Sequence, residues 1–332
     1  MSKILQFVLT LLCVGIVLNV CAMIVGVSPS SVYRQLYATL HSSYGCSQIA
    51  FKATPIILIA LGACVSFRTG LWNIGFEGQL VIASLATGIV GGYLPSNLPG
   101  SAGILILLLV ACSAGAAWAL IAGLLKTYFS APEVMTTIML NFIAMAISSW
   151  MMQHFATSES NHTIDLAPQF RFSTFAPWIK GSQLNTIFLM AIALTFVLHW
   201  FLFRTKTGFS FLAYGENPRA ATLYGTSKTR TILLVFLVSG ILCGIAACHY
   251  VLGSKGFHED GFSGGVGFVG LAAALVAFNR PLLCIASGIL FGALAYASLA
   301  INVLIPKEVT DVLTAATMIV ILMLANGDQK RS

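Results

Sequence analysis

Ten runs of apolar residues succeed one another along this 332-residue chain, at about 4–26, 54–67, 71–93, 102–125, 131–152, 184–203, 231–252, 266–278, 281–303 and 309–326. A bilayer core of roughly 30 Å takes about 20 apolar residues per helix. In lipid the backbone must bond to itself, so a chain written this way folds as a bundle of membrane-spanning helices. The second and eighth runs are too short to span alone, and irregular backbone beside them would need shielding by protein. Composition agrees, with 58% hydrophobic and 8% charged residues, against roughly 25% charged in soluble domains. The net charge of +7 is scattered through loops and forms no stripe for nucleic acid. The opening run exceeds the roughly 7–15 apolar residues of a signal peptide and reads as a retained helix.

Lys and Arg set the orientation. With the N-terminus inside, ten crossings bring the C-terminus back inside, and eleven of the 17 basic residues then lie on the inner side. Positive-inside bias favours this arrangement over its reverse. Outside, residues 28–48 carry Val32, Tyr33, Leu36, Tyr37 and Leu40 at helical spacing, the pattern of a short helix on the membrane surface. Residues 153–183 read as an ordered external loop, with an "NHT" sequon at 161–163. Inside, the largest loop is 204–230, "RTKTGFSFLAYGENPRAATLYGTSKTR". Within it Asn217 suits an N-cap, Pro218 the first helical position and Gly225 the left-handed position after the helix. That small capped helix is either a connector or a docking element that presents Leu223 and Tyr224.

Several chemistries lack their apparatus. The chain has no GxxxxGK[ST], HExxH or GxSxG, and its six histidines are dispersed. Seven of eight cysteines lie in apolar runs and no CxxC occurs, so neither a disulfide framework nor a metal site is expected. Transport is the default function for a polytopic chain with sparse internal polar groups.

Two stretches repeat. "GFEGQLVIASL" at 75–85 and "GFVGLAAALVA" at 267–277 both open an apolar run with Gly-Phe-x-Gly. In a fold of two inverted five-helix halves, the eighth run is the counterpart of the third. Transporters place glycine-interrupted helices at such corresponding positions. Gly75, Gly78, Gly264, Gly267 and Gly270 are therefore candidate break or gate glycines.

The stretches "TPIILIALGACVSFRTGLWNIGFEGQL" (54–80), "EVMTTIMLNFIA" (133–144), "RTKTGFSFLAYGENPRAATLYG" (204–225) and "GFSGGVGFVGLAAALVAFNRP" (261–281) carry a family resemblance. The chain resembles the permease subunits of bacterial ABC importers for nucleosides and simple sugars. It looks most like the longer permease of systems served by a basic-membrane-protein lipoprotein. The resemblance implies an all-α polytopic permease of the vitamin-B12-importer type in the cytoplasmic membrane, with about ten transmembrane helices in two inverted halves (1–152 and 184–332) and both termini cytoplasmic. It implies three partners: a cytoplasmic ATPase that binds ATP and Mg, a second permease copy or homologue, and an external binding lipoprotein. This chain itself would be non-catalytic and hold no cofactor. The coupling helix would fall at 217–225, with Glu216, Asn217, Pro218, Arg219, Leu223, Tyr224 and Gly225 meeting the ATPase. Purine nucleosides are the implied cargo, with riboflavin and simple sugars as alternatives. Val269 stands where the family usually has Asp, which bears on cargo more than on fold. An ion-coupled transporter would need ionisable groups near the midplane, and only Glu77 comes close.

The candidate pathway residues are Asn73, Glu77, Thr137, Asn141 and Phe268. Asn73 and Glu77, four apart, share a helix face. One reading has Glu77 favouring the N-terminal end of its own helix and bonding backbone left open by Gly75 and Gly78. The other has Asn73 and Glu77 lining or closing the inner mouth. "SAPE" at 130–133 fits a capping box with Ser130 as N-cap and Glu133 at the third position. Thr137 and Asn141 continue that face inward. Asn141 either glues helices together or meets the cargo, and on the second reading Asn141→Leu impairs transport while assembly survives.

Overall fold

The computed structural model describes residues 19, 23, 26–157, 161–174 and 177–302. The tenth apolar run, both termini and all but three residues of the first run lie outside the described residues. Within them the order is α1 (Pro29–Leu40), α2 (Ser43–Arg68), α3 (Phe76–Tyr93), α4 (Gly100–Phe129), α5 (Glu133–Phe155), α6 (Ile187–Arg204), α7 (Lys206–Glu216), α8 (Pro218–Leu223), α9 (Lys228–Tyr250), α10 (Val266–Val276) and α11 (Pro281–Ile301). Among the described residues no β-sheet forms, and only isolated backbone pairings occur. Among the described residues six helices are long and apolar enough to cross a membrane: α2, α4, α5, α6, α11, and α9 with the π-type turn Val251–Lys255 that extends it.

The second run is longer as a helix than its apolar letters suggest. Ser42 caps α2 by accepting from the Gly45 amide at 2.8 Å, and the helix runs 26 residues to Arg68. Ser47 and Gln48 are buried against protein, which is why the polar first turns are tolerated. The eighth run does fall short. α10 has 11 residues, about 16 Å at 1.5 Å per residue, or half a bilayer core.

The third run also departs from expectation, because its helix starts at Phe76 and not at Leu71. α2 ends in a Schellman motif, with Gly70 N–H donating to Phe67 O (3.0 Å) and Leu71 N–H to Ser66 O (2.9 Å). Gly70 takes φ +72°, which a residue with a Cβ rarely adopts. Residues 71–74 then have no regular structure. The "SAPE" capping box does not form either. Ser130 sits at φ 53° after α4, and Pro132 occupies the cap position of α5. A proline disfavours helical geometry in the residue before it, so no helix can start at Ala131. Glu133 instead pairs with Lys126 at 2.6 Å, tying the end of α4 to the start of α5.

α2 is the core helix, with Ile57 to Leu61 wholly buried among α9, α10, α11 and α6. α4 and α9 meet backbone to backbone. A Cβ on Gly240 would lie 2.4 Å from the Gly115 carbonyl oxygen, and one on Gly244 2.5 Å from that of Ala111. Residues 161–174 lie over one end of the bundle. Leu166 N–H donates to Gly256 O (2.8 Å) and Phe172 N–H to Leu252 O (2.9 Å).

The opposite end carries α7 and α8. The loop expected at 204–230 is mostly helical, because Thr205 accepts from the Gly208 amide (3.0 Å) and Phe211 and Tyr214 turn inward at i+3 spacing. Gly215 fits flat against the end of α2, where a Cβ would fall 2.0 Å from the Arg68 carbonyl oxygen. Arg68 Nε in turn donates to Asn279 O at 2.6 Å, just beyond α10.

Candidate functional site

The break at residues 71–75 opens a buried polar node inside an apolar bundle. Asn73, Glu77, Gln79, Thr137, Asn141 and Ser239 are all buried there. Asn73 precedes α3 and so shares no helix face with Glu77. Its Nδ2 donates to Ser239 Oγ (2.9 Å), and its Oδ1 accepts from the Gly75 amide (2.9 Å) and Gln79 Nε2 (3.3 Å). Asn141, from α5, clamps the same segment: Oδ1 accepts from the Gly78 amide (2.8 Å) and Nδ2 donates to Ile74 O (3.0 Å). Thr137 accepts from the Ile74 amide at 3.1 Å while donating to Glu133 O at 2.6 Å. Three side chains thus satisfy backbone that no helix satisfies.

Glu77 does not bond its own helix end, since Asn73 and Asn141 already hold the Gly75 and Gly78 amides. Its carboxylate reaches across to α10. Oε2 accepts from the Gly267 amide at 2.7 Å and Oε1 from the Ser263 hydroxyl. Glu77 and Gly267 both lie in the first turns of their helices. One carboxylate therefore meets the positive ends of two helix dipoles. A Cβ on Gly267 would fall 2.6 Å from the Glu77 amide nitrogen, so the two Gly-Phe-x-Gly turns touch.

From this contact the helices leave in opposite directions. α3 runs toward residues 161–174, with Gly88 against His258 and Gly91 against Leu166. α10 runs toward Asn279 and Arg68 at the other end. Gly75 and Gly78 pack against Thr137 and Asn141. Gly270 packs against Ile59, and Gly264 holds φ +55° in the turn before α10. Phe268 is about half exposed and bonds to none of the node residues.

Asn141 is engaged at both ends of its amide. Leucine there would strand the Gly78 amide and the Ile74 carbonyl, each costing about 1–3 kcal/mol when buried. Asn141→Leu is expected to lower the melting temperature of the purified protein by several degrees. A thermal melt of detergent-solubilised protein followed by size-exclusion checks this. An unchanged melting point for Asn141→Leu refutes the clamp.

A second polar cluster was missed in the sequence. His258, 1% exposed, stands in the turn between α9 and α10 and joins α3 to α5. Nδ1 lies 2.9 Å from Ser84 Oγ, and Nε2 lies 3.0 Å from Ser148 Oγ. Ser148 gives its proton to Asp260 Oδ1 at 2.5 Å. It therefore accepts from Nε2–H, and Nδ1 accepts from Ser84, a tautomer assigned from the network. Burial pushes the His258 ring down to about 4, so it is neutral near pH 7. The available signal was "HED" at 258–260, three polar residues just before an apolar run. Ser148 also falls two turns beyond Asn141 on the same face of α5.

The residues at 216–225 lie apart from both clusters. Asn217 Oδ1 accepts from the Arg219 and Ala220 amides, each at 3.1 Å, and Pro218 opens α8. Gly225 follows at φ +91°. Leu223 and Tyr224 are 88% and 92% exposed, at the tip of the element. A groove of about 920 Å³ runs beside them, lined by Phe203, Phe209, Ala213, Glu216 and Tyr224. Among the described residues no group of three or more His, Cys, Asp or Glu is placed to hold a metal ion.

A family model described as "Branched-chain amino acid transport system / permease component" matches residues 45–322. The guanosine ABC transporter permease protein NupP of Bacillus subtilis is 31% identical over 312 residues, covering 91% of this chain and 87% of that protein. The nucleoside ABC transporter permease protein NupB of Lactococcus lactis is 30% identical, covering 88% and 83%. The glucose ABC transporter permease protein TsgB13 of Haloferax volcanii is 26% identical, covering 95% and 86%. With a family match over residues 45–322 and helices of membrane-spanning length, the chain is a multi-pass membrane protein and belongs to the permease components of the branched-chain amino acid transport system family.

Proposed function

We propose that this chain is the membrane permease subunit of an ATP-driven importer, that it forms the translocation pathway for nucleosides, and that purine nucleosides are its first cargo. One observation carries the reading: 31% identity to a guanosine permease along 91% of the chain. The geometry supports transport independently. Two helices start from one buried contact and diverge, an arrangement tolerated in lipid only where protein encloses the irregular backbone. In this reading ten crossings form two inverted five-helix halves with both termini cytoplasmic, which puts residues 161–174 outside and α7–α8 inside. ATP is hydrolysed on a separate cytoplasmic subunit. An external binding lipoprotein delivers the cargo, and a second permease subunit completes the pathway. Asn73, Glu77, Thr137 and Asn141 hold the interrupted segment that closes the pathway, and Phe268 faces it.

The test is uptake of labelled guanosine, cytidine and glucose by cells expressing the complete importer in a strain without its own nucleoside uptake. Guanosine uptake that depends on this chain and on ATP supports the reading. Glucose uptake without guanosine uptake would transfer the cargo to the sugar class, which the 26% identity to the glucose permease represents.

α8 is the coupling helix in this reading. Its tip presents Leu223 and Tyr224, whose exposure is costly unless a partner covers them. Leu223→Asp and Tyr224→Asp are expected to lose ATPase co-purification and uptake while inserting normally, since a charge in an apolar contact is disfavoured. Gly225→Val meets no neighbour but cannot hold φ +91° without strain, so it is expected to weaken coupling less. Normal ATPase binding by both aspartate variants would make α8 a mere connector.

A further inference from the structure

Beside the His258 cluster lies a cavity of about 200 Å³, between α5, α3 and the turn that leads into α10. Ser148, Ser149, Asp260 and Ser263 form its polar side, and Met145 and Phe262 its apolar side. It is smaller than the roughly 300–1,000 Å³ of pockets that take a whole ligand, so it suits one part of a nucleoside-sized molecule.

Its polar side is prepared for hydroxyl groups. Asp260 gives one carboxylate oxygen to Ser148 at 2.5 Å. Among the described residues no hydrogen bond is made to the other oxygen. Ser148 is buried and fixed from behind by His258, which Ser84 fixes in turn. The carboxylate is thus oriented by a chain of three buried side chains before anything binds. A carboxylate only accepts, so it selects donors. Ser149 is exposed and can both donate and accept, whereas half-buried Ser263 already gives its proton to Glu77 and offers the cavity an acceptor. A carboxylate and two hydroxyl oxygens lining one cavity match a vicinal diol, which offers two donors and two acceptors at adjacent carbons. Phe262 and Met145 supply an apolar surface for the carbon face of the ring.

We propose that this cavity is a recognition subsite for the vicinal diol of the cargo, the 2′- and 3′-hydroxyls of a ribonucleoside. The inference rests on the nucleoside reading and deepens it. It also gives cargo a route to the α3–α10 contact, because Ser263 hydrogen-bonds Glu77 as well as lining the cavity. A diol that draws the Ser263 hydroxyl toward itself takes one of the two partners of the Glu77 carboxylate.

The test compares guanosine with 2′,3′-dideoxyguanosine, both at concentrations that saturate uptake, in cells carrying the complete importer. Saturation removes differences in capture outside the membrane. The variants are Asp260→Asn and Ser149→Ala, the second at an exposed hydroxyl whose loss leaves packing intact. For wild type, guanosine is expected to be carried at least tenfold faster than the dideoxy compound. Asp260→Asn should cut guanosine transport about tenfold and Ser149→Ala about threefold, and both should leave the dideoxy rate unchanged. Equal losses for both compounds in Asp260→Asn, together with an unaltered preference in Ser149→Ala, would overturn the subsite and leave the nucleoside reading standing. Absence of guanosine transport by wild type would instead overturn the nucleoside reading, and the subsite with it.

Discussion

Replacing Gly240 by valine is expected to remove most of the folded protein from the membrane. At that point α9 and α4 touch through backbone, and a Cβ would stand 2.4 Å from the Gly115 carbonyl oxygen and 2.5 Å from the Ala116 Cα. Neither atom can swing aside as the end of a side chain would. Overpacking of an ordinary core costs about 1–3 kcal/mol, and here the whole helix must retreat, so a loss at or above the top of that range is expected. The two helices would part along the Gly240–Gly244 face, exposing no new polar group but losing dispersion contacts that lipid replaces poorly. Fluorescence-detected size exclusion of a tagged protein gives the readout, as the fraction in a single sharp peak. Ala117→Val serves as control, since Ala117 is exposed on the other side of α4. Equal peaks for Gly240→Val and Ala117→Val would mean that the α4–α9 contact is not tight.

Glu77→Ala is expected to abolish uptake while leaving a detectable folded population. The alanine removes the hydrogen bonds to Ser263 in the turn before α10 and to Gly267 in its first turn, and strands the Gly267 amide. An unsatisfied buried donor costs about 1–3 kcal/mol. A second cost follows, because the first turns of α3 and α10 then meet with no anion between their positive ends. Glu77→Gln should be intermediate. It retains one acceptor oxygen but turns an N–H toward a donor. Ser263→Ala should be mildest, since it takes one donor from the carboxylate but leaves the Gly267 bond to α10 in place. The expected order of uptake is wild type, Ser263→Ala, Glu77→Gln, Glu77→Ala, with at least a tenfold fall at the last. Uptake and melting temperature both unchanged in Glu77→Ala would show that the carboxylate does not hold the two helices.

Much of this architecture was legible in the letters, and the misses share a cause. Long apolar runs set the helices, because lipid leaves the backbone no other solution. The Gly-Phe-x-Gly pair pointed to α3 and α10, and those turns do touch at Gly267 and Glu77. What spacing could not supply was the partner of each polar group. Asn73 and Glu77 stand four apart, yet Asn73 faces Ser239 of α9 and Glu77 faces α10. The Schellman turn at Gly70 delays the helix past Asn73, and periodicity carries no sign of that delay. The boundary at Ser130 failed for a local reason that was readable, the proline at 132. His258 escaped notice because its partners Ser84 and Ser148 are 174 and 110 residues away. Serines inside apolar runs look like padding until a third element brings them together.

The flat seat of Gly215 on the end of α2 also bears on how such proteins can be recombined. α7 is 11 residues long, and one residue inserted within it would rotate everything downstream by about 100°. Position 215 would then carry a side chain directed at the Arg68 carbonyl, and the seat would be lost. Beyond Glu216, α8 rests on α7 through the buried Ala221, and only its tip at Leu223, Tyr224 and Gly225 faces open space. A chimera that exchanges the inner docking element between relatives should therefore be spliced after Glu216. A graft cut upstream of Lys206 imports a foreign helix length and forfeits the register that seats α7 on the membrane-spanning core.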